Sequence, residues 1–385
     1  MYSNENKTRI KVAIITNDFM VGGVQKLILD QVTLLDRNIF SLSIISLSQF
    51  PGKGDFYDLV PTDVPIYKLH FRRFFDVRAW VALIRVLRQI QPDIVKASLF
   101  FSNIIALVLK PFFGYKVITA EHNTDIARPY HVRFLNKLLS PLAYTIVADS
   151  QGVVEHITRT EGIAKEKFTV IYNGVELGEI GKAQTLYSTQ KNDIRQEIRL
   201  VSNDKIFLNV ARLSTQKNHT LMIDAFARII PNYPDAKLVI IGDGPLREKL
   251  EEQIKNLHVE KNVILLGERK DIYRFYAVSD FFLLTSVREG FCIAAMNGLA
   301  FGLPLLSTRV SGVSEYLKDG QNGLFLGNDS VAMASKLEVI LSLDTTTLEK
   351  YKHTAVESAQ LFGTDTYINK YNDLFLRTYR GKDSL

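Results

Sequence analysis

A carboxylate and a glycine follow a buried strand in the second half of the chain, where a helix begins. The apolar run 280–285 (DFFLLT) is typical of a buried strand, and the polar turn after it carries Arg288, Glu289 and Gly290. Small and apolar residues then predict a helix that ends at GLP (302–304). The N-terminus of a helix attracts anions, and a carboxylate accepts hydroxyl protons. A sugar attached to a diphosphate has both kinds of group.

Two cations follow the first strand of the same half. Arg212 and Lys217 occur in NVARLSTQKNH, which begins within the apolar run 206–210. A planar guanidinium and a mobile ammonium at this spacing suit the two phosphates of a diphosphate. The two residues could instead be solvated surface charges. We favour diphosphate binding because a helix follows the same loop.

Glycine-containing turns follow the next two strands. Gly242 and Asp243 begin GDGP, a tight turn whose role could equally be structural. Glu268 and Arg269 follow Gly267 in LLGERKD, where backbone atoms could contact the edge of a base. Such a contact depends little on side-chain identity.

The first half of the chain opens with a strand, a glycine loop and a helix. Gly22 and Gly23 follow the apolar run 11–16 and precede the predicted helix 26–35. Paired glycines let the backbone approach a ligand closely, and the helix N-terminus behind them can bind an anion. The pair lacks the GxGxxG spacing of dinucleotide-binding loops, which argues against an oxidoreductase.

Glu121 and His122 follow the predicted strand 115–120. A histidine at the carboxyl end of a strand can donate to a sugar hydroxyl or help to orient an acceptor. The carboxylate beside it could serve as a base or a nucleophile. Without further context, a structural histidine at the edge of the sheet is the better interpretation.

Strands and helices alternate along both halves, which predicts two doubly wound, Rossmann-like α/β domains. Two such domains facing each other form a cleft lined by the carboxyl ends of both sheets, where ligands bind. We expect an N-terminal domain over 1–185, a C-terminal domain over 186–360 and a last helix over 361–385 that crosses back to the first domain. The polar segment 176–193 has no clear period and is interpreted as the connection.

The composition is that of a globular protein with ample core material. The chain has 385 residues, of which 46% are apolar and 23% are charged. Its one cysteine, Cys292, excludes an internal disulfide and fits a reducing compartment. Residues 1–9 are polar, unlike a signal peptide, and no apolar run approaches the roughly 20 residues of a membrane span. We therefore expect a cytoplasmic protein.

Most of the net charge of +6 lies in residues 1–190, which contain 22 Lys and Arg against 17 Asp and Glu. Arg72 and Arg73 occur in FRRFF, where arginines beside aromatic residues suit an anionic membrane surface. The following helix, 77–89, is better interpreted as a surface helix whose apolar side packs on the sheet. Nucleic acid is not expected as a partner because no binding motif accompanies the charge.

Seven short motifs together carry a resemblance. In chain order they are GGVQ, EHN, YNGV, NVARLSTQKNH, IGDGPLR, LLGERKD and REGF…GLAFGLP. The set resembles the family 4 glycosyltransferases and covers nearly the whole chain. The resemblance implies a GT-B fold and retaining transfer from a nucleotide sugar.

The resemblance also implies roles for particular residues. The positions of Arg212 and Lys217 bind the donor diphosphate, Glu289 holds sugar hydroxyls, and the backbone of Gly290 and Phe291 approaches the donor. His122 lies by the reacting centre. The family transfers the sugar by a front-face substitution in which the departing phosphate helps to deprotonate the acceptor, so no enzymic nucleophile is assigned. The remaining motif residues expected at the donor are Gly22, Gly23, Asn173, Gly242, Asp243, Glu268 and Arg269.

One residue departs from the family pattern. A second glutamate usually follows the first by eight residues and accepts ribose hydroxyls, but this chain has Asn297 there. An amide oxygen can still accept one hydroxyl, at a cost on the order of 1 kcal/mol for the lost charge. Alternatively, Asn297 is a polar residue at the solvent edge of the helix.

We therefore expect a retaining hexosyltransferase in polysaccharide or glycolipid assembly. It would use a UDP-sugar rather than a GDP-sugar, a saccharide or lipid-linked acceptor, and no metal or other cofactor. Contact with an anionic membrane surface through Arg72 and Arg73 would make it peripheral. The alternatives are a sugar-nucleotide-binding protein with weakened catalysis and a GT-B epimerase.

Overall fold

Two compact units make up the chain. The first comprises residues 1–174 and 364–385, and the second comprises 175–363. The boundaries expected from the sequence, after residues 185 and 360, both fall inside the second unit. The residues that the computed structural model describes are 9–48, 54–73, 75–122 and 128–381. Within these ranges, no helix is both long enough and apolar enough to cross a lipid bilayer.

The regular elements follow the alternation predicted from the sequence. The strands are β1 (Ile10–Thr16), β2 (Phe40–Ser46), β3 (Ile66–Lys68), β4 (Ile94–Ser98), β5 (Lys116–Glu121), β6 (Thr145–Ala148), β7 (Phe168–Val170), β8 (Lys205–Val210), β9 (Ala236–Ile241), β10 (Val263–Gly267), β11 (Phe281–Leu284), β12 (Leu305–Ser307) and β13 (Gly323–Phe325). The helices are α1 (Gly23–Leu34), α2 (Val77–Ile90), α3 (Phe100–Phe113), α4 (Tyr130–Leu139), α5 (Gln151–Glu161), α6 (Leu177–Ser188), α7 (Lys191–Glu197), α8 (His219–Ile229), α9 (Arg247–Asn256), α10 (Ile272–Val278), α11 (Ile293–Ala300), α12 (Ser330–Leu341), α13 (Thr345–Gln360) and α14 (Thr364–Arg380).

The first unit is built on a seven-stranded parallel sheet in the order β3-β2-β1-β4-β5-β6-β7. Its central strands are mostly apolar and almost entirely buried because a parallel sheet is covered on both faces. Helices α2, α3 and α5 contribute Leu83, Ile105 and Val153 to the core on one face. The direction of winding reverses between β1 and β4, so α1 lies on the other face, where α14 packs against it and against β4.

Local hydrogen bonds define several helix ends in this unit. The side chain of Asp76 accepts from Ala79 N at the start of α2, and Ser150 accepts from Val153 N at the start of α5. Serine is among the residue types that favour this N-cap position. Gly162 ends α5 in the left-handed region, with φ of 69°.

The second unit has a six-stranded parallel sheet in the order β10-β9-β8-β11-β12-β13. Its core is a cluster of apolar residues that includes Phe207, Phe226 and Leu337. The strand order reverses between β8 and β11, and in doubly wound sheets such a reversal marks the crevice at the carboxyl edge where ligands bind. The predicted doubly wound architecture is confirmed in both units.

The segment 176–193 was interpreted as the connection between the domains, but it lies within the second unit. It forms α6 and the start of α7, both of which pack against α10. Only Ile180, Ala183 and Ile194 of these helices are buried. Three apolar residues are too few to produce a helical period, so tertiary packing stabilises helices that the local pattern does not indicate.

Candidate functional site

The crevice of the second unit lies between the loops that follow β8 and β11. Hydrogen bonds join these loops: Val287 N donates to Gln216 O at 2.8 Å, and Gln216 Nε2 donates to Arg288 O at 3.0 Å. Thr285 Oγ1 donates to Lys217 O at 2.9 Å. The two loops that carry the predicted charged residues therefore form one connected structure.

Lys217 and Glu289 meet in this crevice. Lys217 Nζ donates to Glu289 Oε1 at 2.6 Å, and Ser286 Oγ donates to the same oxygen at 2.6 Å. Glu289 is only 7% exposed. Burial disfavours the ammonium, but Cys292 and the carboxylate of Glu289 together outweigh this effect, and the pKa of Lys217 is raised above its ordinary value. The two hydrogen bonds to Glu289 Oε1 fix the orientation of the carboxylate.

Arg212 lies on the same loop as Lys217 but differs in its surroundings. Its side chain is exposed. No hydrogen bond or ion pair joins it to another residue in the described part of the chain. Its guanidinium is therefore available to an anion, as the diphosphate prediction requires.

The turn that begins with Gly242 packs against the loop after β8, backbone on backbone. Gly242 has φ of 136°, and a Cβ there would lie 2.0 Å from Ala211 O. A Cβ on Gly244 would lie 2.5 Å from Leu213 O. Leu213 N donates in turn to Asp243 O at 3.0 Å. These contacts give the turn a structural role, and contact of Gly242 and Asp243 with the donor stays a prediction.

The side chain of Arg269 is held within a network of ion pairs. It donates to both carboxylate oxygens of Asp271 at 2.8 Å and to Glu197 at 3.2 Å, and Arg274 also pairs with both acids. The two guanidinium groups lower the pKa of Asp271. In this turn, the exposed side chain of Glu268 and the backbone beside it remain accessible to a ligand.

The turn at Gly290 is supported from below by aromatic residues. Phe291 is 6% exposed, and its ring lies 5.3 Å from that of Tyr316 and 5.4 Å from that of Phe362. Because the side chain turns into the core, the backbone is the part that remains for ligand contact. A Cβ on Gly312 would lie 1.5 Å from Gly290 O, so the loop after β12 also requires a glycine.

Asn297 lies on the second turn of α11 and is 8% exposed. Its side chain lies beside Tyr276, whose hydroxyl donates to Ala294 O at 2.9 Å and whose pKa burial raises well above the ordinary value. The alternative interpretation of Asn297 as a residue at the solvent edge is therefore wrong. Cys292 directly precedes the helix and is also buried, and burial raises the pKa of its thiol to about 11. A neutral thiol agrees with a packing role.

Two supporting residues were not singled out by the sequence patterns. One is Gly312, whose only signal is a glycine in the polar loop after β12. The other is His219, which stands at the end of NVARLSTQKNH and is fully buried. Its Nε2 lies 3.0 Å from Asn209 Oδ1, and Asn209 Nδ2 donates to Leu283 O at 2.8 Å. His219 therefore orients Asn209, whose amide joins β8 to β11 at the crevice.

In the first unit, the glycine loop also lies at a reversal of strand order. Gly22 is the N-cap of α1, and Gly23 is its first residue. The loop after β1 is tied to the start of α3, because Ser102 N and Oγ both donate to Asn17 Oδ1, at 3.0 and 2.6 Å. The helix N-terminus predicted behind the glycines is present.

His122 and Asn173 both approach Asp149. His122 Nδ1 lies 3.8 Å from Asp149 Oδ2, and Asn173 Nδ2 donates to the same oxygen at 3.4 Å. Burial and the ammonium of Lys96 lower the pKa of His122 to about 3. Its imidazole is therefore neutral at physiological pH.

The carboxylate of Glu121 is bound by two neighbouring side chains, those of Arg128 and Asn103. Arg128 forms a short ion pair with its Oε2 and a second ion pair with Glu161 at 3.1 Å. Asn103 Nδ2 donates to the other oxygen of Glu121 at 3.2 Å. Both carboxylate oxygens of Glu121 are thus engaged by other side chains, which argues against the roles of base and nucleophile that the sequence left open.

Arg72 and Arg73 are exposed. In the same loop, Phe74 lies outside the described residues, and Phe75 is 86% exposed. Helix α2 buries Leu83 and Leu87 against the sheet, which confirms the interpretation of that helix as a packed surface helix.

An apolar stripe on α4 faces solvent. Tyr130, Phe134 and Leu138 recur every four residues and are 83%, 56% and 61% exposed. Arg133 and Lys137 lie on the same helix.

The fold and the site define a two-unit α/β protein with charged residues at the carboxyl edges of two parallel sheets. Residues 21–179 match the family model described as Glycosyltransferase Family 4. Residues 190–359 match the model described as Glycosyl transferases group 1. The chain belongs to the family 4 glycosyltransferases, as its motifs predicted.

Curated relatives of the chain are glycosyltransferases. A segment of 232 residues is 34% identical to the N-acetylgalactosamine-N,N'-diacetylbacillosaminyl-diphospho-undecaprenol 4-alpha-N-acetylgalactosaminyltransferase of Campylobacter jejuni and covers 60% of this chain and 59% of the relative. Over 333 residues, the chain is 26% identical to the UDP-Gal:alpha-D-GlcNAc-diphosphoundecaprenol alpha-1,3-galactosyltransferase of Escherichia coli. This match covers 83% of this chain and 84% of the relative. The chain thus spans about three fifths of the first of these relatives.

Solved structures share the fold. Anabaena Alr3699/HepE in complex with UDP and glucose has a TM-score of 0.81 and 20% sequence identity to this chain. The similarity covers 96% of this chain and 100% of that one. The GT-B fold implied by the motifs is confirmed.

Proposed function

We propose that this protein is a retaining glycosyltransferase that moves a hexose from a UDP-sugar to an acceptor hydroxyl. The observation that carries the proposal is the pairing of Lys217 with Glu289 at 2.6 Å, beside the exposed Arg212. Two cations and one carboxylate in a single crevice match a ligand with a diphosphate at one end and hydroxyl groups at the other. The donor named for the relative in Escherichia coli is UDP-Gal, and HepE was solved with UDP.

Each group has one task in this mechanism. Arg212 and Lys217 neutralise the diphosphate and stabilise the charge that develops as it departs. The N-terminus of α11 adds a partial positive charge at the same place. Glu289 accepts hydroxyl protons of the sugar and fixes its orientation. The departing phosphate takes the proton of the acceptor hydroxyl on the face that it leaves, so configuration is retained without an enzymic nucleophile. With two cations present, the mechanism needs no metal ion.

The acceptor that we propose is lipid-linked and lies at the cytoplasmic face of a membrane. The named acceptors of the relatives in Campylobacter jejuni and Escherichia coli are linked to undecaprenol through a diphosphate. In this chain, Arg72, Arg73 and Phe75 form an exposed basic and aromatic loop, and α4 exposes Phe134 and Leu138. Such surfaces attract anionic lipid and bury apolar side chains at the interface.

The test is a transfer assay with matched donors. The full chain is incubated with UDP- and GDP-sugars of α configuration and with a saccharide linked to polyprenyl diphosphate, and both free nucleotide and product are measured. We expect release of UDP, and NMR of the product should show an α linkage. A β linkage would overturn retention. Turnover of GDP-sugars alone would overturn the donor assignment.

A sugar-nucleotide-binding protein with weakened catalysis is the second candidate, and Asn297 is the observation that favours it. The same assay separates the two candidates. A binding protein would bind UDP, but it would not cleave UDP-sugars and so would release no free UDP from them. An epimerase would convert the sugar of the donor without any acceptor, which NMR of the nucleotide sugar detects.

A further inference from the structure

Four polar residues form a row across neighbouring strands of the first unit. Lys96 lies on β4, His122 directly follows β5, Asp149 directly follows β6, and Asn173 follows β7. Side chains alternate along a strand, and the register pairs Glu121 with Ala148. One residue further on, His122 and Asp149 therefore stand side by side on the face opposite to that of Glu121.

The end of the row at Lys96 is buried within the first unit. Lys96 is 1% exposed and donates to Ser98 Oγ at 2.6 Å, and its ammonium lies 5.7 Å from the centre of the Tyr371 ring. Tyr371 and Tyr367 belong to α14, and Gln31 of α1 donates to the hydroxyl of Tyr367 at 2.6 Å. The last helix of the chain therefore forms one wall around the row.

Asp149 is placed to act on one nitrogen of His122. Its Oδ2 lies 3.8 Å from Nδ1, and its side chain is 3% exposed. Among the described residues, neither ring nitrogen has a hydrogen-bond partner. The distance exceeds an ordinary N–H···O bond of about 2.9 Å by roughly one ångström. Hydrogen bonds in active sites are often long in the free protein and shorten when substrate binds.

We propose that Asp149 is a positioning residue for His122, with its carboxylate accepting the proton on Nδ1 so that Nε2 is left as the hydrogen-bond acceptor for a sugar hydroxyl. A neutral imidazole has two tautomers of similar energy, and a carboxylate beside one nitrogen selects the tautomer with the proton there. The ammonium of Lys96 disfavours a second proton on the ring. The task given to Nε2 rests on the proposed function, whereas the tautomer is a property of the free protein.

The tautomer is measured by NMR of the full chain labelled with ¹⁵N at histidine, and the signal of His122 is identified by its loss in His122→Gln. We expect the tautomer protonated at Nδ1 in the unchanged protein. In Asp149→Asn, the new amide N–H can donate to Nδ1, so the tautomer protonated at Nε2 should replace it. Asp63→Asn, the same substitution at an exposed position of the same unit, should leave the signal of His122 unchanged.

Two results would overturn the tautomer assignment: protonation at Nε2 in the unchanged protein, or an unchanged tautomer in Asp149→Asn. The first does not depend on Asp149→Asn, so it decides the matter even if that variant does not fold. In the transfer assay, we expect Asp149→Asn to lower kcat on the order of 10- to 100-fold and to leave KM for the donor within about twofold of its original value. An unchanged kcat would show that the position of Asp149 is immaterial to the reaction. If the unchanged protein turns over no donor, the proposed function fails while the NMR result still decides the tautomer.

Discussion

The ammonium of Lys217 lies 2.6 Å from Glu289 Oε1, although the two residues are predicted to bind opposite ends of one donor. Without a ligand, each charge neutralises the other, and Ser286 holds the carboxylate in place. A diphosphate must therefore compete with Glu289 for Lys217, or share it. Substitution of Lys217 and substitution of Glu289 should therefore have different effects on donor binding.

Lys217→Met should weaken UDP binding by about 10- to 100-fold, because it removes a charge-assisted hydrogen bond of about 1.5–3 kcal/mol. Isothermal titration with UDP measures the loss. Lys249→Met, at an exposed position of the same unit, is the matched control and should bind UDP as the unchanged protein does. Equal affinity for UDP in Lys217→Met would refute the diphosphate role.

Glu289→Gln should affect UDP binding and sugar transfer differently. The substitution frees Lys217 from its partner, so UDP, which carries no hexose, should bind as well as before or a few-fold more tightly. Transfer from the UDP-sugar should fall on the order of 100-fold, because the sugar loses a charged acceptor. Affinity for UDP and kcat are measured on the same preparation. A parallel loss of both would mean that Glu289 supports the diphosphate site instead.

Asn297→Glu should strengthen donor binding through the ribose by about fivefold, which corresponds to roughly 1 kcal/mol. Affinity for UDP and for its 2′,3′-dideoxy analogue is compared by titration. The gain should be present with UDP and absent with the analogue. An equal gain for both ligands would place the effect elsewhere. Because position 297 is buried beside Tyr276, the new carboxylate should also lower Tm.

Lys96→Met should stabilise the protein at neutral pH. Burial lowers the pKa of Lys96 from 10.5 to about 7, so between these values the unfolded chain binds a proton that the folded chain does not. Lys96 therefore costs stability most at pH 7 and below, and this cost disappears as the pH rises towards 10.5. Tm measured at pH 7, 8.5 and 10 should show the gain of Lys96→Met shrinking with pH.

The matched control for Lys96→Met is Lys165→Met, an exposed position in the same unit whose effect should not depend on pH. A gain for Lys96→Met that stays constant from pH 7 to pH 10 would contradict the lowered pKa. Lys96→Met also removes the cation that disfavours protonation of His122. NMR titration should therefore show a higher pKa for His122 in Lys96→Met.

Arg72→Glu with Arg73→Glu should weaken binding to anionic vesicles by roughly 30-fold or more, because each cation near such a surface contributes about 1 kcal/mol. Co-sedimentation with vesicles containing phosphatidylserine measures binding, and neutral vesicles serve as the reference. Lys249→Glu with Lys255→Glu applies the same change of charge to the second unit and should have little effect. Equal loss in both variants would indicate a general charge effect.

Replacing Phe134 and Leu138 with serine tests the apolar part of the same surface. Both side chains are more than half exposed on α4, so their removal should leave Tm nearly unchanged. Binding to anionic vesicles should fall because two apolar side chains no longer enter the interface. A lower Tm with unchanged vesicle binding would mean that α4 packs against protein.

Local patterns predicted the elements well where burial leaves a period in the sequence. β1 and β8 are continuous apolar runs, and Ser150 caps α5 as its residue type indicates. α6 and α7 were missed because their stability comes from packing against α10. A helix that buries only a few residues leaves no such period.

The sequence by itself determined which chemical groups stand at the ends of which strands, because strands and turns are encoded by neighbouring residues. The order and register of the strands decided which of these groups meet. Lys217 and Glu289 are 72 residues apart in the chain, Asp149 was not identified as a neighbour of His122, and Arg269 was not expected to be held by Glu197. Contacts of this kind depend on long-range packing of a whole sheet, which no local pattern records, and only the tertiary structure decided them.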